Sequence, residues 1–198
     1  MNILLIAFAI ASITYIQGMH HKFLLDNEGW QIKQHVQAKQ AHSAPHYTYN
    51  TGILSRYIGG KDTLINVDWK NKDDKDLWYF VLEKPTHKIK SYVLSYKMQS
   101  FAGDFTRINE GVKHRAVIMK SNTSELWIPA HADYDGSPKS FWISLLNVPI
   151  KKKEMTGGFS NVGNRELKKI LNEITEIAIL GDWTRGTEMI GIDDVEFT

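Results

Sequence analysis

The chain has 198 residues, of which 42% are hydrophobic and 23% charged, so it is long enough and apolar enough for one domain with a buried core. Its 24 basic and 22 acidic residues leave a formal charge of +2, which is too balanced to indicate nucleic acid or an anionic membrane as a partner. It contains no cysteine, which excludes disulfides, thiol catalysis and zinc–thiolate sites.

An uncharged apolar run, Ile3 to Ile16, lies at the amino terminus. A helix needs roughly 20 apolar residues to span a bilayer, and this run is shorter. We therefore predict a signal peptide over residues 1–18, cleaved after Gly18, and a secreted domain over residues 19–198. The alternative is an uncleaved buried strand or helix. After cleavage we expect no stable membrane insertion, because no second apolar run of that length follows.

Strand patterns dominate the rest of the chain. Tyr92, Leu94, Tyr96 and Met98 alternate with more polar residues, and this period of two predicts a strand with one buried face. The run "DLWYFVLEKP", ended by Pro85, predicts a strand buried on both sides. Short strands separated by turn-rich breaks indicate an all-β sandwich. Further short apolar runs are "HRAVIMKS", "SELWIPAH" and "SFWISLLNV".

One segment has a helical period instead. Leu167, Ile170, Leu171 and Ile174 recur with the spacing of one helix face, which predicts a short helix near residues 165–172. Asn164 is the predicted N-cap. The helix should lead into a strand over residues 176–180.

The order of these motifs resembles the laminin IV (laminin B) domain over residues 24–197, nearly all of the predicted mature chain. The resemblance implies a jelly-roll β-sandwich of two antiparallel sheets, related to galactose-binding and carbohydrate-binding modules, in an extracellular protein. The cysteine-rich modules that normally flank such domains do not occur in this sequence. The motifs that carry the resemblance are "LLDNEGWQI", "LWYFVLEKP", "SYVLSYKM", "RAVIMKS", "FWISLLN", "NRELKKILNEITEIAILGDW" and "IGIDDVEF".

In jelly-roll modules related to this family, a carboxylate on the last strand often helps to bind a structural calcium beside the first strand. The resemblance therefore makes Asp26, Asp193 and Asp194 candidate calcium ligands, with Glu28 nearby. The alternative is that one aspartate caps a turn or pairs with a basic residue such as Arg185. Because consecutive strand residues point to opposite faces, Asp193 and Asp194 should not form the facing carboxylate pair of a glycosidase.

Exposed aromatic side chains are a second candidate site, since sugar-binding modules stack pyranose rings on them. Trp78 and Trp142 lie inside apolar runs and are predicted to be core residues. Trp127, Trp183 and Tyr134 lie nearer to loops, as does Trp69, and are the candidate ligand-binding residues. Asn122-Thr123-Ser124 forms an N-glycosylation sequon, which predicts an exposed loop and a glycan on Asn122.

No nucleophile elbow, zinc-protease motif or phosphate loop occurs in the sequence, so we predict no catalytic residues. The early histidines, His35, His42 and His46 among them, fit a solvated loop better than a metal site. The leading interpretation is a secreted, non-catalytic, laminin IV-like domain that acts in extracellular matrix, adhesion or cell-surface interaction. Its partner would be an extracellular protein or a glycan. A carbohydrate-binding module and a secreted hydrolase on the same scaffold are the alternatives.

Overall fold

A computed structural model describes residues 19–23, 28–34, 46–51, 62–68, 77–85, 89, 91–108, 115–129, 133–154 and 158–197. The predicted signal peptide, Asp26, Trp69, His35 and His42 lie outside the described residues, so the predictions made for them stay predictions. Within the described part of the chain, no helix is both long and apolar enough to cross a membrane.

Two antiparallel sheets make up the described structure. The first has six strands, in the order β3-β4-β13-β6-β9, and the two-residue strand β1 pairs with β13 next to β4. The last strand of the chain therefore lies inside this sheet, between β4 and β6. The strands are β1 (His20–His21), β3 (His46–Thr51), β4 (Asp62–Asp68), β6 (Val93–Ala102), β9 (Lys139–Ser144) and β13 (Glu188–Phe197).

The second sheet has seven strands, in the order β11-β10-β8-β7-β12-β5-β2. Its central strands, β7, β12 and β5, contain continuous apolar runs. The strands are β2 (Trp30–Gln34), β5 (Trp78–Glu83), β7 (Val117–Ser121), β8 (Glu125–Ile128), β10 (Lys151–Lys153), β11 (Phe159–Asn161) and β12 (Ile174–Leu180). The predicted all-β sandwich is confirmed.

A hydrophobic core lies between the sheets. On β6, Leu94, Tyr96 and Met98 are all buried, as the alternation predicts. On β5, every residue from Trp78 to Leu82 is buried, so the prediction of a strand covered on both sides is also confirmed. Burial of these large side chains stabilises the fold by roughly 1.5–3 kcal/mol each, which offsets the lack of disulfides.

The predicted short helix is α1 (Asn164–Leu171). It buries Leu167, Ile170 and Leu171 and leads into β12, as its period indicates. It starts one residue earlier than predicted: Gly163, rather than Asn164, is the N-cap, and the Leu167 amide donates to the Gly163 carbonyl at 2.9 Å. Ile174, the last residue of the helical pattern, already belongs to β12.

Two carboxyl groups lie buried where β12 turns into β13. The side chains of Asp182 and Glu188 have no exposed surface. The Glu188 carboxyl group accepts hydrogen bonds from the backbone amides of Trp183 and Thr184 and from the Thr184 hydroxyl, at 3.1–3.2 Å. Burial and the neighbouring Asp182 carboxylate raise the pKa of Glu188 well above its ordinary value of 4.5. No motif in the sequence predicts this pair.

Candidate functional site

A groove crosses the outer face of the six-stranded sheet. It has a volume of about 180 Å³ and is bordered by strands β1, β6, β9 and β13. We call it the Trp142 groove. Its lining mixes one exposed aromatic ring with hydroxyl, ammonium, imidazole and carboxylate groups. The lining residues are His20, Lys22, Ser95, Tyr96, Lys97, Ser140, Phe141, Trp142, Asp194 and Glu196.

Trp142 is the exposed ring of this groove, with 67% of its surface accessible. The prediction that it is a core residue is wrong. It lies on β9, where its neighbours Phe141 and Ile143 point into the core and are each 2% exposed. Strand alternation therefore turns Trp142 outward, opposite Ser95 of β6. An indole ring with two-thirds of its surface in water contributes little to folding and is accessible to a ligand.

A β-bulge places a carboxylate in the groove. Between Asp193 and Glu196 the pairing of β13 with β6 shifts register, and Asp194 adopts a positive φ of 47°. The Asp193 side chain accepts a hydrogen bond from the Asp194 amide at 2.7 Å, which fixes the bulge. The prediction that these two side chains point to opposite faces of the sheet assumes a regular strand. The bulge interrupts the regular alternation, but the two carboxyl groups still lie in different environments. Asp193 is buried, whereas Asp194 lines the groove.

Asp194 is held by two basic side chains. Lys97 Nζ lies 2.5 Å from Asp194 Oδ2, and His20 Nε2 lies 3.5 Å from Asp194 Oδ1. Partial burial opposes ionisation, but the hydrogen bonds and charges of Lys97 and His20 outweigh it and lower the pKa of Asp194. The alternative prediction, that one aspartate pairs with a basic residue, is confirmed for Asp194, but the basic residue is Lys97 and not Arg185.

The groove contains two carboxyl groups, those of Asp194 and Glu196. The proton donor of a glycosidase is a carboxyl group with a raised pKa. The pKa of Asp194 is shifted in the opposite direction, so Asp194 is suited to accept hydrogen bonds rather than to protonate a leaving group. Ser140, which is exposed, and the Lys97–Asp194 pair offer donors and acceptors beside the exposed ring.

Two of the three predicted ligand-binding aromatics are not exposed. Trp183 and Tyr134 are each 2% exposed, so the prediction that they lie at the surface is wrong. Their ring centroids are 4.7 Å apart, and the Trp183 indole nitrogen donates to the Leu180 carbonyl at 3.2 Å. Both rings belong to the hydrophobic core. Trp78, predicted to be in the core, is fully buried.

Trp127 is half-buried and lies on β8 of the seven-stranded sheet, away from the Trp142 groove. Its indole nitrogen donates to Glu125 Oε1 at 2.5 Å, and its ring contacts Phe159 with centroids 4.5 Å apart. Phe159 is 46% exposed. Trp127 is thus the one predicted aromatic that reaches the surface of the described structure, and it does so on the opposite sheet.

The calcium prediction stays open. Among the described residues, no three histidine, aspartate or glutamate side chains come together in a way that could hold a metal ion. Asp26 lies outside the described residues, Glu28 contacts His21 at 3.0 Å, and Asp194 is engaged by Lys97. The pairing of β1 with β13 does bring the start and the end of the domain together, as the prediction requires.

Asn122 lies exposed in the hairpin turn between β7 and β8. The Ser121 hydroxyl oxygen accepts hydrogen bonds from the amides of Thr123 and Ser124, so backbone contacts hold the turn. We expect Asn122 to carry a glycan when the protein is secreted from a eukaryotic host, because the turn tolerates a bulky group. Mass spectrometry before and after N-glycosidase treatment checks this. Asn122→Gln and Ser124→Ala should both remove the modification, and a wild-type mass that glycosidase leaves unchanged would contradict it.

Comparisons with known proteins agree on the fold. No protein-family model matches the chain, and no curated protein matches it. A family 11 carbohydrate-binding module from Clostridium thermocellum, solved with a β-1,3-1,4-mixed-linked tetrasaccharide, is 14% identical, with a TM-score of 0.50. The match covers 91% of this chain and 96% of that module. The L4b domain of human laminin alpha-2 is 15% identical, with a TM-score of 0.47, covering 61% of this chain and 69% of that domain. At 14% identity the match to the family 11 module shows the fold alone, a jelly-roll β-sandwich, and leaves the function to the residues of the groove.

Proposed function

We propose that this domain binds carbohydrate, without altering it chemically, in the Trp142 groove. The observation that carries the proposal is the exposure of Trp142 beside a fixed set of polar side chains. A sugar ring has an apolar face of C–H groups and a rim of hydroxyls. A flat exposed indole next to hydrogen-bonding groups matches both features.

The groove is organised before any ligand arrives. Lys97 and Asp194 hold each other through their ion pair, and the bulge fixes the backbone that carries Asp194. Side chains that are already ordered lose less conformational entropy on binding, which favours affinity. Ser140, which lines the groove and is exposed, adds a short hydroxyl group that can exchange hydrogen bonds with sugar hydroxyls.

The proposal includes an extracellular location, which follows from the predicted signal peptide and the sequon at Asn122. The matrix or adhesion role implied by the resemblance to laminin IV domains remains a prediction. The contacts of the described residues support sugar binding more directly, since they assemble a groove around an exposed ring. The family 11 module noted above has its tetrasaccharide bound on a related fold, which makes glycans the first ligands to screen.

The experiment is a glycan-array screen of the purified protein, followed by calorimetric titration of the best neutral oligosaccharide. We expect Trp142→Ala to weaken binding about tenfold or more, because truncating an aromatic residue at the centre of a binding site costs roughly 1–2 kcal/mol or more. Trp142→Phe should retain part of the affinity, since it keeps a flat ring. Neither change should lower the melting temperature, because Trp142 is exposed.

Trp127→Ala provides the matched control, because it removes a surface tryptophan from the other sheet. It should leave the affinity for a neutral sugar unchanged. If Trp142→Ala binds as tightly as the wild type, the groove is not the sugar site. If no glycan binds at all, the proposed function is wrong.

A further inference from the structure

A second surface lies on the opposite sheet, at its β8-β10-β11 end. We call it the basic aromatic face. The register of the three strands puts its side chains on one side, because Trp127 pairs with Lys151 and Lys153 pairs with Phe159. The intervening Leu126 and Ile128 point into the core and are fully buried. The face comprises Arg115, Glu125, Trp127, Lys151, Lys153, Phe159 and Asn161.

Aromatic and cationic groups are interleaved on this face. The Arg115 guanidinium carbon lies 4.9 Å from the centre of the Trp127 ring, and Lys153 Nζ lies 5.9 Å from it. Phe159 packs against the same ring and keeps 46% of its surface exposed. Trp127 therefore acts as a support that holds two cations and presents Phe159 to solvent.

The charge of the face is unbalanced. Three cations, Arg115, Lys151 and Lys153, stand against one described carboxylate, Glu125, which lies 3.9 Å from Lys153. Within the described residues, Lys151 Nζ contacts a neutral partner, the Asn161 side-chain oxygen, at 2.6 Å. By contrast Lys152, which points to the other side of β10, is matched by two carboxylates, those of Glu166 at 2.6 Å and Glu154 at 3.5 Å. On β10, the unmatched positive charge thus lies on the side that carries the aromatic rings.

We propose that the basic aromatic face binds an anionic polysaccharide, one that carries sulfate or carboxylate groups on its sugar rings. Lys151 and Lys153 are two residues apart on a strand, so their side chains leave the sheet about 7 Å apart and form a short row. A polymer with repeated negative groups can contact such a row at several points. Its sugar rings offer C–H faces to Phe159, which a carboxylate on a peptide does not. This site is independent of the Trp142 groove.

The test uses dextran sulfate and unsulfated dextran as a matched pair, with poly-glutamate as the acidic peptide, in surface plasmon resonance against the full protein. We expect dextran sulfate to bind, dextran to bind at least tenfold more weakly, and binding to weaken as salt is raised. Lys151→Glu with Lys153→Glu should weaken dextran sulfate binding at least tenfold. Phe159→Ala should weaken it several-fold, which charge alone does not explain.

Arg107→Glu with Lys168→Glu is the control variant, because it makes the same change in net charge with two exposed residues outside the face. It should bind dextran sulfate within about twofold of the wild type. Equal losses in both double variants would overturn the proposal in favour of general charge attraction. If poly-glutamate binds as tightly as dextran sulfate, and Phe159→Ala binds dextran sulfate as tightly as the wild type, the proposal is overturned in favour of an acidic peptide. Melting temperatures of all variants establish that each is folded.

Discussion

Replacing Gly181 with alanine should lower the melting temperature more than any other single-methyl change in the core. A Cβ atom at this position would lie 1.9 Å from Cζ3 and 2.2 Å from Cη2 of the Trp78 ring. The ring cannot move aside easily, because it is fully buried and packs edge-on against Phe80 with centroids 5.2 Å apart. The backbone is also tied, since the amides of Gly181 and Asp182 both donate to the Trp78 carbonyl.

We expect Gly181→Ala to reduce the free energy of unfolding by about 3 kcal/mol or more. For a domain of this size, that is a fall in melting temperature of roughly 6–12 °C. Calorimetry or circular dichroism measures it. Gly158→Ala is the matched control, because a Cβ there meets no atom within 4 Å, and it should be nearly neutral. A Gly181→Ala variant as stable as the control would contradict the packing described here.

Trp78→Phe should partly rescue Gly181→Ala, because the two ring atoms nearest to the new methyl group belong to the indole and are lost in phenylalanine. Alone, Trp78→Phe should be destabilising, since it leaves a cavity. The double variant should then be more stable than the sum of the two single effects indicates. Simple additivity of the two free-energy changes would show that the methyl group and the ring do not meet.

The second large effect concerns Glu188. Glu188→Ala should reduce the free energy of unfolding by about 2–4 kcal/mol, because it leaves the buried amides of Trp183 and Thr184 without their acceptor. Glu188→Gln should reduce the free energy of unfolding by less, since it retains a carbonyl oxygen and removes the negative charge next to Asp182. Urea denaturation of the three proteins measures the differences. Equal losses in the two variants would show that the charge, not the acceptor, matters.

The same residue should make stability depend on pH. The pKa of Glu188 is raised by folding, so the folded state binds its proton more tightly than the unfolded state does. The stability that this proton adds to the folded state is fully present when the pH is below the ordinary pKa of 4.5. It is lost as the pH rises through the higher pKa of Glu188 in the folded protein. The wild type should therefore gain stability over Glu188→Gln as the pH falls from about 8 to about 4. A stability difference that is constant across this range would contradict the assignment.

The sequence was sufficient to predict the sandwich, because its hydrophobic periods are local. The alternation over Leu94, Tyr96 and Met98 and the helical spacing of Leu167 and Ile170 both depend on neighbours along the chain, and both are found in the structure. Only the boundary of α1 moved, by one residue, because Gly163 and not Asn164 lies at its start.

Trp142 shows how the site was missed. Inside the run "SFWISLLNV" it looks like a core residue, yet its neighbours two positions away, Ser140 and Ser144, are polar. Reading the run with a period of two would have placed Trp142 on the outer face with these serines, and Phe141 and Ile143 inside. The signal was present in the sequence, but the continuous apolar stretch obscured it.

Other features depend on contacts between distant segments. Trp183 and Tyr134 are near loops in the sequence, but their loops fold against each other and bury both rings. The bulge at Asp194 arises from a register shift between β13 and β6, and nothing in the local sequence predicts it. The Trp142 groove needs four strands that lie far apart in the sequence, so only the folded structure brings its residues together.

The most direct test of the central claim is an NMR titration that follows the six tryptophan indole N–H signals during addition of a neutral oligosaccharide ligand. The Trp142 signal is assigned by its disappearance in Trp142→Phe. It should move in proportion to saturation, while the signals of the buried Trp78 and Trp183 stay in place. A saturating ligand that leaves the Trp142 signal unmoved, or that shifts only the signal of Trp127 on the opposite sheet, would contradict a sugar site in the groove.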